Sequence, residues 1–248
     1  MQNLNGKYCI VTGGGKGIGK AIAKRFIDEE AAGVAILEWN AELAEAAAKE
    51  IDPTGEKVIA IRCNVADDAD VKAAVDATLA KFGRVDVLVN NAGITRDVIF
   101  HKMTDDDWFD VMNVNLNGVY YLCKYIVPLM REQESGSIIN LSSTSIMGNP
   151  GQANYAATKA ALVGFTRTMG KELGRKKVRM NCIAPGYIDT DMMRAIPENI
   201  FNAMIRGIPA QRLGRPEEIA SLAAFLASDD ASWISGQTIF ASGGGACN

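Results

Sequence analysis

An α/β fold, a doubly wound parallel sheet with helices on both faces, is what the sequence predicts, and three observations predict it. Short β-rich runs with few polar interruptions recur along the chain, and segments of helical periodicity, mostly of roughly 10 to 15 residues, separate them. A glycine cluster sits at the junction of the first run and the first helix. The length of 248 residues suits one sizeable core, so a single domain over 1–248 is expected.

The first strand is read at 7–12, Lys-Tyr-Cys-Ile-Val-Thr. In the helix after it, Ile18, Ala21, Ile22, Phe26 and Ile27 share one face, with Lys20, Lys24, Arg25 and Glu29 largely elsewhere. Strands at 33–38, 58–63 and 85–90 alternate with helices at 41–51 and 68–82. The second half repeats this rhythm. One long helix is expected over 105–132, a strand at 137–142, a helix at 154–173, a strand at 178–184, a helix at 217–226 and a short last strand at 237–240. The least regular stretch, 185–216, reads as a substrate-side cover within the same domain.

Composition narrows the function classes. With 48% hydrophobic and 22% charged residues and no apolar run of 18, a membrane span is not expected. The N-terminus lacks a basic, signal-like segment, which makes the cytoplasm the expected compartment. Twenty-six basic against 29 acidic side chains give a net charge of -3 and no broad attraction to a polyanion, so nucleic acid is not expected as a partner. Cys9, Cys63, Cys123, Cys182 and Cys247 are scattered, without disulfide or zinc spacing, and four of them read as buried thiols. The single histidine, His101, reads as a local surface or packing residue, and no metal is expected.

Thr12-Gly-Gly-Gly-Lys-Gly-Ile-Gly19 follows the first strand directly. Closely spaced glycines there let backbone nitrogens approach a diphosphate and aim the positive end of a helix at it. Gly13, Gly17 and Gly19 are assigned to this work; the alternative is a tight turn with no ligand. Glu38 ends the second strand 19 residues after Gly19, near the spacing of a ribose-binding acid. Its carboxylate would accept from ribose hydroxyls and repel a 2′-phosphate, favouring NAD over NADP. An ordinary strand-end glutamate is the alternative, and Lys16 in the loop argues mildly for NADP. Asn64-Val65 and Asn90-Asn-Ala-Gly93 fall on the same carboxyl edge.

Tyr155-Ala-Ala-Thr-Lys159 places a phenol and an ammonium one helical turn apart on one face. The ammonium would favour phenolate and bring its proton transfer nearer to use. Ser142, at the end of the fifth strand, could donate to the same ketone or alcohol oxygen. Alone, such a Tyr–Lys pair is more often a surface pair; with the dinucleotide loop it makes a redox constellation.

At these residues nearly the whole chain resembles the classical short-chain dehydrogenase/reductase family, whose fold is Rossmann-like. The resemblance implies that Thr12, Gly13, Lys16, Gly17, Ile18, Gly19, Glu38, Asn64 and Val65 bind the cofactor, and that Asn91, Ala92 and Gly93 support the sheet and line the cofactor's nicotinamide side. Pro185, Gly186, Ile188 and Thr190 would serve its nicotinamide end. It implies a catalytic tetrad of Asn115, Ser142, Tyr155 and Lys159, with Tyr155 and Lys159 also touching cofactor. In it Tyr155 handles the proton, Ser142 polarises the substrate oxygen, Lys159 binds the ribose and lowers the tyrosine pKa, and Asn115 holds a relay water.

Asn90-Asn-Ala-Gly-Ile-Thr-Arg-Asp97, Gly148-Asn-Pro-Gly-Gln-Ala-Asn-Tyr155 and Ala184-Pro-Gly-Tyr-Ile-Asp-Thr-Asp-Met192 resemble most closely the 3-oxoacyl-thioester reductases of that family. Two features depart from them: Glu38, where those reductases favour NADPH, and Gln133 within Glu132-Gln-Glu134, where a surface for acyl carrier protein carries a basic residue. Lys176, between Arg175 and Lys177, keeps the other basic part. The leading expectation is reduction of a 3-oxoacyl thioester, with acyl carrier protein as a candidate partner. An NAD-dependent secondary-alcohol or hydroxysteroid dehydrogenase and a non-catalytic nucleotide-binding scaffold are the alternatives. Surplus apolar residues on the long helix, among them Phe109 and Tyr120, predict assembly beyond a monomer, and the resemblance implies a homotetramer, or failing that a dimer.

Overall fold

The computed structural model describes residues 4–190, 201 and 204–246. A seven-stranded sheet holds β1 (Tyr8–Thr12), β2 (Gly33–Glu38), β3 (Val58–Arg62), β4 (Val87–Asn90), β5 (Gly136–Leu141), β6 (Val178–Pro185) and β7 (Thr238–Ala241) in the order β3-β2-β1-β4-β5-β6-β7. Every neighbouring pair is parallel. Winding reverses between β1 and β4, which opens a crevice at their carboxyl ends, as in other Rossmann-like folds.

The strands lack polar alternation because both faces are covered. Cys9, Val11, Val34, Ile36, Val87 and Val89 point into one apolar layer, and Ile10, Ala35, Leu37 and Leu88 into the other. The first layer receives α1 (Gly17–Asp28) and α2 (Ala41–Ile51), and Phe26 on α1 is fully buried there. Burying a side chain of that size contributes roughly 1.5 to 3 kcal/mol. The second layer receives α3 (Asp68–Phe82), α5 (Gly118–Gln133) and α6 (Ala153–Leu173). The last helix, α7 (Pro216–Ala227), returns to the first. Polar side chains fix the helix starts: Asn40 accepts from Leu43 N, and Asp67 from the nitrogens of Ala69 and Asp70.

The helix expected over 105–132 is built differently. It comprises α4 (Asp105–Met112), a π-helical turn (Asn113–Asn117) and then α5. Hydrophobic periodicity is blind to one widened turn, which leaves the pattern on either side intact. Smaller differences lie at element ends: β4 begins at Val87 rather than 85, and β5 stops at Leu141. Residues 191–200 and 202–203 of the expected cover lie outside the described residues, as does Cys247. The other four cysteines are buried and free. Among the described residues no helix is long and apolar enough to cross a membrane.

Candidate active site

The glycine loop leaves β1 and enters α1 at the crevice. Gly13 and Gly17 have φ of +62° and +54°, a region that favours glycine. A β-carbon on Gly19 would collide with the Gly13 carbonyl, so loop and helix close tightly only without a side chain there. Between Gly13 and Gly17 only exposed Lys16 carries a side chain, and the Thr190 methyl lies 3.5 Å from where a Gly17 β-carbon would sit. A bare backbone at a helix N-terminus fits a diphosphate.

Glu38 reaches back to this loop. Its Oε2 accepts from Gly15 N at 3.3 Å and its Oε1 from Asn40 N at 3.3 Å, which holds the carboxylate beside the loop. Asn64 turns its Oδ1 to Ala66 N, and Val65 packs against Gly118 at the head of α5. Pro185 ends β6, Gly186 N donates to Ala241 O, and Ile188 pairs with Gly214.

Two side chains of the expected cofactor set, those of Thr12 and Asn91, bond within the protein, and for Asn91 this agrees with its expected support of the sheet. The Thr12 hydroxyl, buried, accepts from the nitrogens of Asn91 and Ala92 and donates to Val89 O. Asn91 Nδ2 donates to the carbonyls of Thr12 and Gly13. These side chains fasten the β4 loop to the glycine loop, and their polar atoms are spent on that.

Gly93 marks where the second half of the crevice converges: a β-carbon there would lie 3.2 Å from Asn115 Oδ1 and 3.5 Å from Lys159 Nζ. The π-helical turn carries Asn115 inward, where it accepts from Ile94 N at 2.8 Å and donates to Ile94 O at 3.0 Å and Thr158 Oγ1 at 3.4 Å. Lys159 is buried, donates to Leu141 O at 2.6 Å and lies 5.5 Å from the Tyr155 ring centroid. Burial lowers its pKa to about 8. Burial also raises the Tyr155 phenol above its ordinary value, opposed by a hydrogen bond with the Ser143 side chain. Desolvation, aided by the nearby Asp97 carboxylate, therefore runs against the expected shift towards phenolate.

Ser142 corrects the expectation in a second way. Its hydroxyl is buried and donates to Lys159 O at 2.8 Å, against the side of α6. Strand alternation explains this: Asn140, two residues earlier, also faces α6 and donates to Thr166 Oγ1 at 2.9 Å. The serine hydroxyl that meets Tyr155 is that of Ser143, half-buried and also accepting from Ser145 N at 3.1 Å. The signal was the Ser142-Ser143 pair itself, read with the parity of the strand before it. Asn154 was likewise missed. It is fully buried, accepts from Tyr155 N at 2.7 Å and donates to Asp107 O at 2.8 Å and Arg96 O at 3.2 Å.

His101 is exposed in a short turn (Phe100–Lys102). Among the described residues no group of three or more His, Cys, Asp or Glu side chains could hold a metal ion. At the expected carrier-protein surface, Lys176 is ion-paired with Glu134 at 2.9 Å, and Gln133 donates to Val85 O.

A family model described as enoyl-(acyl carrier protein) reductase matches residues 13–245. The 3-oxoacyl-[acyl-carrier-protein] reductase of Chlamydia trachomatis is 45% identical over 243 residues, 97% of this chain and 98% of that protein. Its counterpart from Thermotoga maritima is 44% identical over 244 residues, covering 98% and 99%. The crystal structure of levodione reductase superposes with a TM-score of 0.92 at 35% identity, over 98% of both chains.

Proposed function

We propose, for a chain that belongs to the classical short-chain dehydrogenase/reductase family of NAD(P)-dependent oxidoreductases, the reduction of a 3-oxoacyl thioester to its 3-hydroxy form, with NADH as the preferred donor. The observation that carries this reading is the meeting of the Tyr155 phenol, the Ser143 hydroxyl and the Lys159 ammonium beside the glycine loop, with Lys159 Nζ 5.5 Å from the Tyr155 ring centroid, which gives a substrate oxygen placed there both a proton source and a hydrogen-bond donor.

Backbone nitrogens of the Gly13–Gly19 loop would hold the diphosphate, Glu38 the adenosine ribose, and Lys159 the nicotinamide ribose, with Asn64, Val65, Gly93, Pro185, Gly186, Ile188 and Thr190 lining the remainder. When bound, the nicotinamide supplies the hydride to the carbonyl carbon. Tyr155 Oη gives its proton to the carbonyl oxygen, and Ser143 Oγ donates a hydrogen bond that steadies the charge gathering there. Ser142 holds α6 to β5 through Lys159 O, and Asn115 braces Ile94 against α6. The chain acts as one domain. Exposed Phe109 and Tyr120 on α4 and α5 support burial of that face against further copies, in a homotetramer.

One observation favours a second reading of the substrate. With Gln133 neutral and Lys176 neutralised by Glu134, the surface is poorly suited to an acidic carrier protein. A small-molecule thioester or cyclic ketone fits that charge pattern better. A purified-enzyme panel decides: acetoacetyl thioester on carrier protein and on a small thiol, simple ketones and hydroxysteroids, each with both cofactors. Turnover confined to hydroxysteroids would refute the thioester assignment.

A further inference from the structure

Glu38 and Arg62 are in-register partners on β2 and β3, so their side chains leave the same face of the sheet on strands about 4.8 Å apart. A guanidinium so placed would ordinarily pair with the carboxylate beside it. It does not. Arg62 Nη1 donates to Asp70 Oδ2 at 2.6 Å, and its Cζ lies 4.3 Å from the centroid of the Trp39 ring. Glu38 accepts from Gly15 and Asn40 nitrogens and has no ion-pair partner among the described residues. Asp70 is itself fixed, because the same Oδ2 accepts from Asn64 N at 2.9 Å in the turn that leads into α3.

We infer that Trp39 and Asp70 withhold Arg62 from the ribose site at Glu38, and that this pair, rather than Glu38 alone, sets the preference for NADH over NADPH. The inference rests on Glu38 being the ribose residue. The physical reason is local charge. Released, Arg62 would either neutralise Glu38 or meet a 2′-phosphate directly, and each outcome favours the phosphorylated cofactor. Bound to Asp70 and stacked on Trp39, its charge is spent and its long side chain is immobilised, so Glu38 keeps its full repulsion.

The test is calorimetric titration of the full chain with NADH and with NADPH, which reads binding without turnover. Asp70→Asn keeps an acceptor for Asn64 N while removing the charge that holds Arg62. The Kd ratio of NADPH to NADH is expected to fall by about fivefold or more in this variant, mainly through tighter NADPH. Adding Arg62→Leu to it should abolish that gain. Should Asp70→Asn fail to fold, Trp39→Leu gives the same readout at a residue 60% exposed. A wild-type chain that binds NADPH as tightly as NADH overturns the cofactor reading and this inference together. A wild-type NADH preference that the released variant leaves within twofold overturns this inference alone, and so does a gain that survives Arg62→Leu.

Discussion

The two halves of the crevice are built on opposite principles. On the β1–β3 side the site is mostly backbone: glycines at positive φ, a helix N-terminus and one carboxylate at a strand end. On the β4–β6 side it is mostly buried side chains, with Asn115, Ser142, Asn154, Thr158 and Lys159 all 4% exposed or less and each hydrogen-bonded to another element. Backbone geometry tolerates change in neighbouring side chains, whereas a buried polar net leaves unsatisfied groups when one member goes. Substitutions on the catalytic side should therefore act on turnover and on the nucleotide side on affinity, and that contrast can be broken experimentally.

The largest effect is expected at Tyr155. Tyr155→Phe keeps the ring and removes the proton, so kcat should fall by about 10²- to 10⁴-fold while NADH affinity stays within a few-fold of wild type. Near-wild-type turnover by the folded variant would exclude the mechanism. Next comes the serine pair. Ser143→Ala should lower kcat by about 10²-fold, as loss of a donor to developing charge does. Ser142→Ala should instead cost about 1 kcal/mol of stability, read from denaturant melts, with a far smaller change in kcat. A reversed pattern would return the substrate oxygen to Ser142.

The pH dependence sharpens the same comparison. Burial lowers the Lys159 pKa from 10.5 to about 8, so its ammonium, and with it the ribose contact proposed for it, is lost as pH rises through about 8. The alkaline limb of kcat/KM for cofactor should bend there and vanish in Lys159→Met. The linked stability runs the other way: the unfolded chain keeps its Lys159 proton up to 10.5, so this group's penalty on the fold is full below about 8 and is relieved between about 8 and 10.5. On the nucleotide side, Glu38→Ala should narrow the proposed NADH preference by about tenfold, the worth of one charge-assisted hydrogen bond. The smallest catalytic effect is expected away from both halves. Phe109→Glu should shift the mass seen by light scattering at low micromolar concentration below that of four chains, and an unchanged mass would remove that face from the interface.

The same contrast governs what could be read beforehand. The order of strands and helices, the glycine loop and Glu38 follow from periodicity and spacing, because each is a local pattern. Tyr155 and Lys159 were legible because one helical turn fixes their relation. The serine was not. Ser142 and Ser143 are adjacent and chemically identical, and only strand parity, visible once Asn140 is seen to face α6, separates the one that grips the helix from the one that meets the phenol. Thr12 sits in a binding motif yet its hydroxyl serves as a fastener, since a motif records which residues are present and not which way their polar atoms turn.

The π-helical turn at Asn113–Asn117 has a consequence for how the chain can change. The widened turn takes up one residue more than regular winding would, so the helix keeps its faces on either side of it. Val119, Leu122, Cys123, Ile126 and Met130 therefore face the sheet although the chain before them carries a surplus residue. Deleting one residue from the turn should restore regular winding and leave that apolar face in place, while Asn115 loses the position from which it reaches Ile94 and Thr158. Deleting one residue within α5 should do the reverse, turning everything after it by about 100° and taking the apolar face off the sheet. The segment thus separates two kinds of damage by a few positions: a shortening at the turn is expected in turnover, and a shortening one turn later in folding.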